Sequence, residues 1–280
     1  MLGGFLKGAL GGVSSPAGAN ANGTEGPGTF APSTYGTVLG WYDFTDGTKV
    51  LNGSDVAAAN NDVIKTIQDK SGSSRHGTQP TSGARPTFKT SIVNSLSVAR
   101  FDNSNDFIQL DSSKAITNGI TGFTAAVVYS CADIVTETNG FFEFQTGTAG
   151  RRLSLLTLTN GQYMQEARRL DASGGDARYG GSHTASTWYI AFAIWDFSAG
   201  TSKVYQNGNV AITSGTNDTS GTVSATDSLE SPTIGSMGLY GSTLFNGDIA
   251  EVVFWNGAMS DGNRDSAETS LGSKYGITVT

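Results

Sequence analysis

From Tyr35 onward the chain falls into short apolar or alternating runs, separated by clusters of Gly, Asn, Asp and Ser. Period-two alternation marks a half-buried strand, and the clusters are turn formers. Strands are predicted over Val38–Phe44, Leu96–Phe101, Phe107–Leu110, Phe123–Ser130, Gly140–Gln145 and Arg152–Leu158. In the next, Trp188–Trp195, the set Trp188, Ile190, Phe192 and Ile194 shares one face. Lys203–Gln206 then meets Asn207-Gly208, a type I′ hairpin signal, and Val210–Thr213 pairs back. After a last strand, Ile249–Trp255, a helix runs from Asp261 towards Tyr275, with Ser260 as N-cap and Gly276 as stop. Many strands, hairpin turns and no strand–helix alternation predict an all-β fold, an antiparallel jelly-roll β-sandwich with a short C-terminal helix. No internal repeat is visible, which argues against a propeller or solenoid.

Residues 1–34 follow another pattern. Leu2, Phe5, Leu6, Ala9, Leu10 and Val13 fall on one face of a helix, with glycines on the opposite side. Glycine in a helix costs roughly 1 kcal/mol relative to Ala, so this helix needs a partner to dock on. A secretory signal cleaved at Ala17-Gly-Ala19 or Ala19-Asn-Ala21 and an unstructured tail are the alternatives. Against the signal, no charge precedes Phe5, and glycine pairs and Lys7 break the apolar run. Ser14–Pro32 reads as an extended linker. Two domains are expected: a docking arm and linker over 1–34, with Leu2, Phe5, Leu6, Leu10 and Val13 as its docking residues, and the sandwich over 35–280.

Composition sharpens this picture. With 38 glycines in 280 residues and only 15% charged residues, a helical bundle or coiled coil is disfavoured. Aromatics at 10% supply a core. A net charge of −7 suits no phosphate backbone, so nucleic acid is an unexpected partner. No apolar run reaches the length of a membrane-spanning helix. Cys131, the single cysteine, lies in a strand context that predicts a buried, inert thiol.

Several segments in order carry a likeness. They are Trp41-Tyr-Asp43; Asp69-Lys-Ser-Gly72 with His76; Arg85-Pro-Thr87; and Arg100 to Phe107. The most telling are Phe245 to Asn256, Ala258-Met-Ser-Asp261 and Lys274-Tyr-Gly-Ile277. Residues 35–277 resemble the concanavalin A-like lectin/glucanase superfamily, in the laminin-G-like form common in bacterial surface and phage virion proteins. The resemblance implies a jelly-roll sandwich but no single function, because the fold hosts lectins, hydrolases and structural modules.

The superfamily's hydrolases carry Glu-x-Asp-x-Glu or a one-residue-longer variant; here none of the seven glutamates has Asp two positions on. Asp248 and Glu251 are the nearest acidic pair, but their odd spacing puts them on opposite strand faces. His76 and His183 are the only histidines, and no Gly-x-Ser-x-Gly elbow is present. His76 is read as a packing or hydrogen-bonding residue and His183 as a solvated loop residue. No catalytic constellation is expected. The resemblance implies a possible calcium loop at Asp69 and Ser71, with Glu251 nearby, although Ala250 stands where many relatives have Asp. The acidic loop Asp102–Asp106 is a second oxygen-rich cluster, and turn capping is the competing role for both. Sugar sites need aromatic platforms. The four tryptophans fall in predicted strands, so Tyr163, Tyr179 and Tyr240, in more irregular Gly-rich segments, are the candidate glycan contacts. Arg151-Arg152 and Arg168-Arg169 are positive pairs that are either solvated or face an acidic neighbour.

The expectation is a noncatalytic phage virion structural protein, for capsid decoration, a fibre or a tail. Its arm would dock on other virion proteins, and its sandwich would be displayed for decoration or host-surface glycan adhesion. A secreted, extracellular carbohydrate-binding protein is the alternative, with a glycan hydrolase third. A homo-oligomer is compatible with this reading, though no heptad signals one.

Overall fold

The computed structural model describes residues 30–146, 150–167, 176–212, 231–237 and 243–280. The proposed docking residues Leu2, Phe5, Leu6, Leu10 and Val13 lie outside them, as do Tyr240, Arg168 and Arg169. The described chain opens with β1 (Val38–Asp43), β2 (Val50–Asn52), β3 (Ile64–Ile67), β4 (Gly77–Thr78), β5 (Thr87–Val93), β6 (Leu96–Asp102) and β7 (Ile108–Gln109). The long middle strands are β8 (Gly122–Cys131), β9 (Asn139–Thr146), β10 (Gly150–Thr157), β11 (Tyr163–Ala167), β12 (Asp176–Gly180) and β13 (Trp188–Asp196). Then come β14 (Thr201–Gln206), β15 (Asn209–Ile212), β16 (Thr233–Ile234), β17 (Ser236–Met237), β18 (Thr243–Leu244), β19 (Asn246–Asn256) and helix α1 (Asp261–Tyr275). The predicted strands are present, with ends shifted by at most three residues.

Two antiparallel sheets form the sandwich. One runs β15-β14-β13-β8-β19-β6-β5, with β1 pairing on β19, and the other runs β12-β11-β10-β9-β16-β7-β4-β3-β2. Strand β19 holds the first sheet together: it pairs with β8 along one edge, and with β6 and then β1 along the other. The hairpin signal at Asn207-Gly208 is realised between β14 and β15, with both residues at positive φ (49° and 90°), as a type I′ turn requires.

The main core lies between the sheets and is rich in rings, with Phe123, Phe142, Phe144, Trp195 and Phe254 packed edge to face or tilted. A second apolar layer covers the outer face of the eight-stranded sheet, where Ile190, Phe192, Val253 and Trp255 meet Ala267, Leu271 and Tyr275 of α1. Burial on both faces explains why β8 and β19 are nearly continuous apolar runs rather than alternating ones. The one-face set of β13 therefore faces the helix, while Ala191, Ala193 and Trp195 face the main core. Helix α1 starts where Ser260 accepts the Asn263 N–H and stops at left-handed Gly276 (φ 67°).

The second layer also contains Phe30, only 2% exposed, and buried Pro32. The expected linker is thus corrected at its end: the sandwich packing reaches back to Phe30, because Trp255 and Trp41 leave an aromatic notch that its ring fills.

Candidate functional site

At the start of the described chain, Phe30 stacks on Tyr35 (5.9 Å between centroids) and meets Trp41 and Trp255 edge-on (both 6.4 Å). The Trp255 indole N–H donates to Pro32 O at 2.9 Å. Tyr35 is tied to α1 by its hydroxyl with Ser270 Oγ (2.7 Å) and by its carbonyl, which accepts from Asn263 Nδ2 (3.1 Å). Beside these ties opens a cleft of about 640 Å³ lined by Tyr35, Val38, Trp41, Lys70, Ser71 and Asn263.

Trp41 connects this cleft to a buried charge network. Its backbone N–H donates to Asp69 Oδ1 (3.0 Å) and its indole N–H to Glu251 Oε1 (2.5 Å), while Lys70 Nζ lies 4.3 Å from its ring centroid. Lys274, from the last turn of α1, bridges Glu251 (2.9 Å) and Asp43 (3.0 Å), and Lys70 pairs with Asp43 (2.9 Å) and Asp46 (3.2 Å). Tyr275 O–H donates to Glu251 Oε2 at 2.7 Å. Burial pushes the Glu251 carboxyl above its ordinary range despite the opposing Lys274. At Asp43 burial acts the same way, but Lys274 and Lys70 outweigh it and hold the carboxyl low. Burial would lower the Lys274 pKa; Glu251 and Asp43 reverse that and raise it.

This network decides the fit for calcium. The Asp69 carboxylate accepts the N–H groups of Trp41, Ser71 and Arg75 and the Ser71 hydroxyl, which makes it a turn cap. Glu251 faces an ammonium, a phenol and an indole N–H. A hard cation needs six to eight oxygen ligands turned towards it. Asp69, Ser71 and Glu251 do not form such a set, and the described residues hold no group of three or more His, Cys, Asp or Glu placed for a metal. Of the two roles open to Asp69 and Ser71, calcium loop or turn cap, the structure shows the turn cap.

A second hollow, about 380 Å³, lies on the outer face of the same sheet and includes Trp188, Ser130, Asp248, Arg100, Asn246 and Ser186 in its lining. Arg100 grips Asp248 with two parallel bonds, Nε–Oδ1 at 2.7 Å and Nη2–Oδ2 at 2.8 Å. Asp248 and Glu251, expected on opposite strand faces, share one face. A β-bulge falls between Ile249 and Glu251 in the pairing with β8. Ile249 and Val252 enter the main core, so Ala250 and Glu251 both turn outward and Glu251 joins Asp248 on the outer face. Each acid is nonetheless held by its own cation.

The remaining candidates divide. Tyr179 is 55% exposed on edge strand β12, as an exposed contact requires. Tyr163 is fully buried, its hydroxyl 2.6 Å from that of Tyr129, so its exposed role is corrected: β11 turns this ring into the core. His183 is also buried rather than solvated, among Tyr129, Tyr163 and Tyr189, and burial lowers its pKa to about 4. His76 accepts the Asp69 N–H at 3.0 Å, in its expected hydrogen-bonding role. Cys131 is buried, and burial pushes its thiol up to about 12. No helix among the described residues is long and apolar enough to cross a membrane.

Two antiparallel sheets, an aromatic core and a helix closing the outer face define a lectin-like β-sandwich. The chain belongs to the concanavalin A-like lectin/glucanases superfamily, whose laminin-G-type family model matches residues 102–263. No curated protein matches the chain. Among solved structures it is similar to the botulinum neurotoxin serotype D binding domain (TM-score 0.55, 9% identity, covering 84% of this chain and 51% of that one). It is also similar to Trypanosoma rangeli sialidase in complex with 2,3-difluorosialic acid (TM-score 0.51, 13% identity, 87% and 34%). The chain thus spans about a third of the length of the sialidases it matches. At these identities the likeness is one of fold.

Proposed function

We propose that this protein is a noncatalytic glycan-binding sandwich carried on an N-terminal docking arm, as a structural protein of a phage virion. One observation carries the glycan reading: a half-buried tryptophan, Trp188, shares a surface hollow with a planar Arg–Asp pair, an amide and two hydroxyls. Apolar ring plus directional polar groups is the chemistry a pyranose needs. The noncatalytic reading is supported by the outer-face acids. Asp43, Asp248 and Glu251 are bound to Lys or Arg, whereas a glycosidase presents two carboxyl groups across the scissile bond. The binding-domain and sialidase likenesses agree with the reading at the level of fold. The test is a glycan array with the full chain, followed by incubation with each bound glycan. Retention without cleavage is expected; release of sugar would overturn the noncatalytic reading, and a blank array the binding one.

A further inference from the structure

We propose that Trp188, Ser130, Asp248 and Arg100 form a trough for one neutral hexopyranose residue, an assignment that rests on the glycan-binding reading and gives it a site and a ligand class. Strand register aligns the four residues. Trp188 is the cross-strand partner of Ser130, Ser130 of Asp248, and Asp248 of Arg100. The four side chains therefore stand in one row across β13, β8, β19 and β6. Their flanking residues Tyr129, Cys131, Ile249, Ala99 and Phe101 point into the main core, so the row faces outward.

Heights along the row make the trough. Trp188 forms one wall and the Arg100–Asp248 fork the other, two strand spacings away, or roughly 10 Å. Between them stands the short Ser130, and the backbone of Gly247 also lines the hollow. The short Ser130 side chain keeps the floor low. Ser186 closes one end. Its N–H donates to Cys131 O at 2.7 Å and its φ of 57° is left-handed, a strained choice for a serine that fixes this loop against the sheet.

The gap suits a single pyranose ring: one apolar face against the indole, and outward hydroxyls on the far side meeting the fork. Asp248 uses one lone pair per oxygen on Arg100, and a carboxylate can accept more; Arg100 keeps further N–H donors at Nη1 and Nη2. A paired carboxylate and guanidinium accept from and donate to neighbouring hydroxyls at once. Charge sets the class. Arg100 is matched by Asp248, so none of the described residues lining the trough presents an uncompensated cation, and a sugar carboxylate would meet Asp248 as a like charge.

The experiment titrates the full chain with the best neutral oligosaccharide from a printed panel and with α2,3-sialyllactose. The wild type is compared with Trp188→Ala, Trp188→Phe, Asp248→Asn and Val56→Ala, an exposed position between β2 and β3, and the melting temperature of each variant is measured alongside. Trp188→Ala and Asp248→Asn should each weaken neutral-sugar binding at least about tenfold. Trp188→Phe should keep most of it, and Val56→Ala, at the edge of the other sheet, all of it. If Trp188→Ala loses its fold, the Trp188→Phe and Asp248→Asn arms and quenching of tryptophan fluorescence by the sugar decide. Wild-type affinity in folded Trp188→Ala or Asp248→Asn overturns the trough while leaving glycan binding standing. Preference for sialyllactose overturns the neutral class, and no binding to any sugar removes the glycan reading itself.

Discussion

At the scale of single residues, Asp106 and His183 set opposing pH dependences. Asp106 is buried and close to Asp102, and both effects push its carboxyl up to about 7. In the unfolded chain it ionises near its ordinary 3.8. Between those values the folded state holds the extra proton, so this residue's contribution to stability falls as pH rises from about 4 to about 7. Asp106→Asn keeps an acceptor for the Asp102 N–H and removes the charge. Its melting temperature should exceed the wild type's at pH 8 and match it at pH 4; a constant difference across that range would refute the assignment. His183 works in the other direction. Burial lowers its pKa to about 4, so the unfolded chain gains the proton first and stability is lost as pH falls from about 6.5 to 4. His183→Phe should flatten the drop in melting temperature between pH 7 and pH 5, whatever its effect at pH 7.

At the scale of elements, the notch that takes Phe30 fastens the segment before β1 to β1, β19 and α1 together. Phe30→Ala would empty a buried aromatic site, at a cost of about 3 kcal/mol or more. Chemical denaturation should show that loss with an unchanged m-value; a neutral effect would mean that segment is not part of the cooperative unit. This element also shows what the sequence could reveal. Caps, the Asn207-Gly208 turn and period-two strands were legible because each is a local rule. Phe30 was not, because it sits among Gly, Thr and Pro that read as linker, and its partners Trp41 and Trp255 are distant in sequence. The outward turn of Glu251 was hidden for a related reason: a bulge adds one residue to one strand, and only the partner strand shows it. Tyr163 and His183 look exposed beside Gly161 and Gly180-Gly181, yet glycine there lets chains pack closely; a Cβ on Gly181 would sit 2.9 Å from the Tyr163 ring. The trough residues were individually visible, but the row needs the register of four strands.

At the scale of the whole molecule, Phe30 and Pro32 meet the strand that links the first sheet. Trp255 stands on β19, the strand that pairs with β8, β6 and β1, so a pull on residues 1–29 would pass through Phe30 and Pro32 into the centre of the eight-stranded sheet. A docking arm attached to a loop tip would instead peel its own anchor away. The proposed assembly role therefore has a defined boundary for its test. Removing residues 1–34 would strip Phe30 and Pro32 from the second apolar layer and confuse lost docking with lost folding. Removing only residues 1–29 leaves that packing in place. The shorter deletion should keep the wild-type melting temperature and glycan binding while abolishing incorporation into virus particles. Replacing Leu2, Phe5, Leu6, Leu10 and Val13 with Ser in the full chain should do the same, because it removes the apolar stripe and keeps the length. Incorporation at wild-type levels by both variants would refute the docking arm and leave the sandwich as a binding module recruited through another surface.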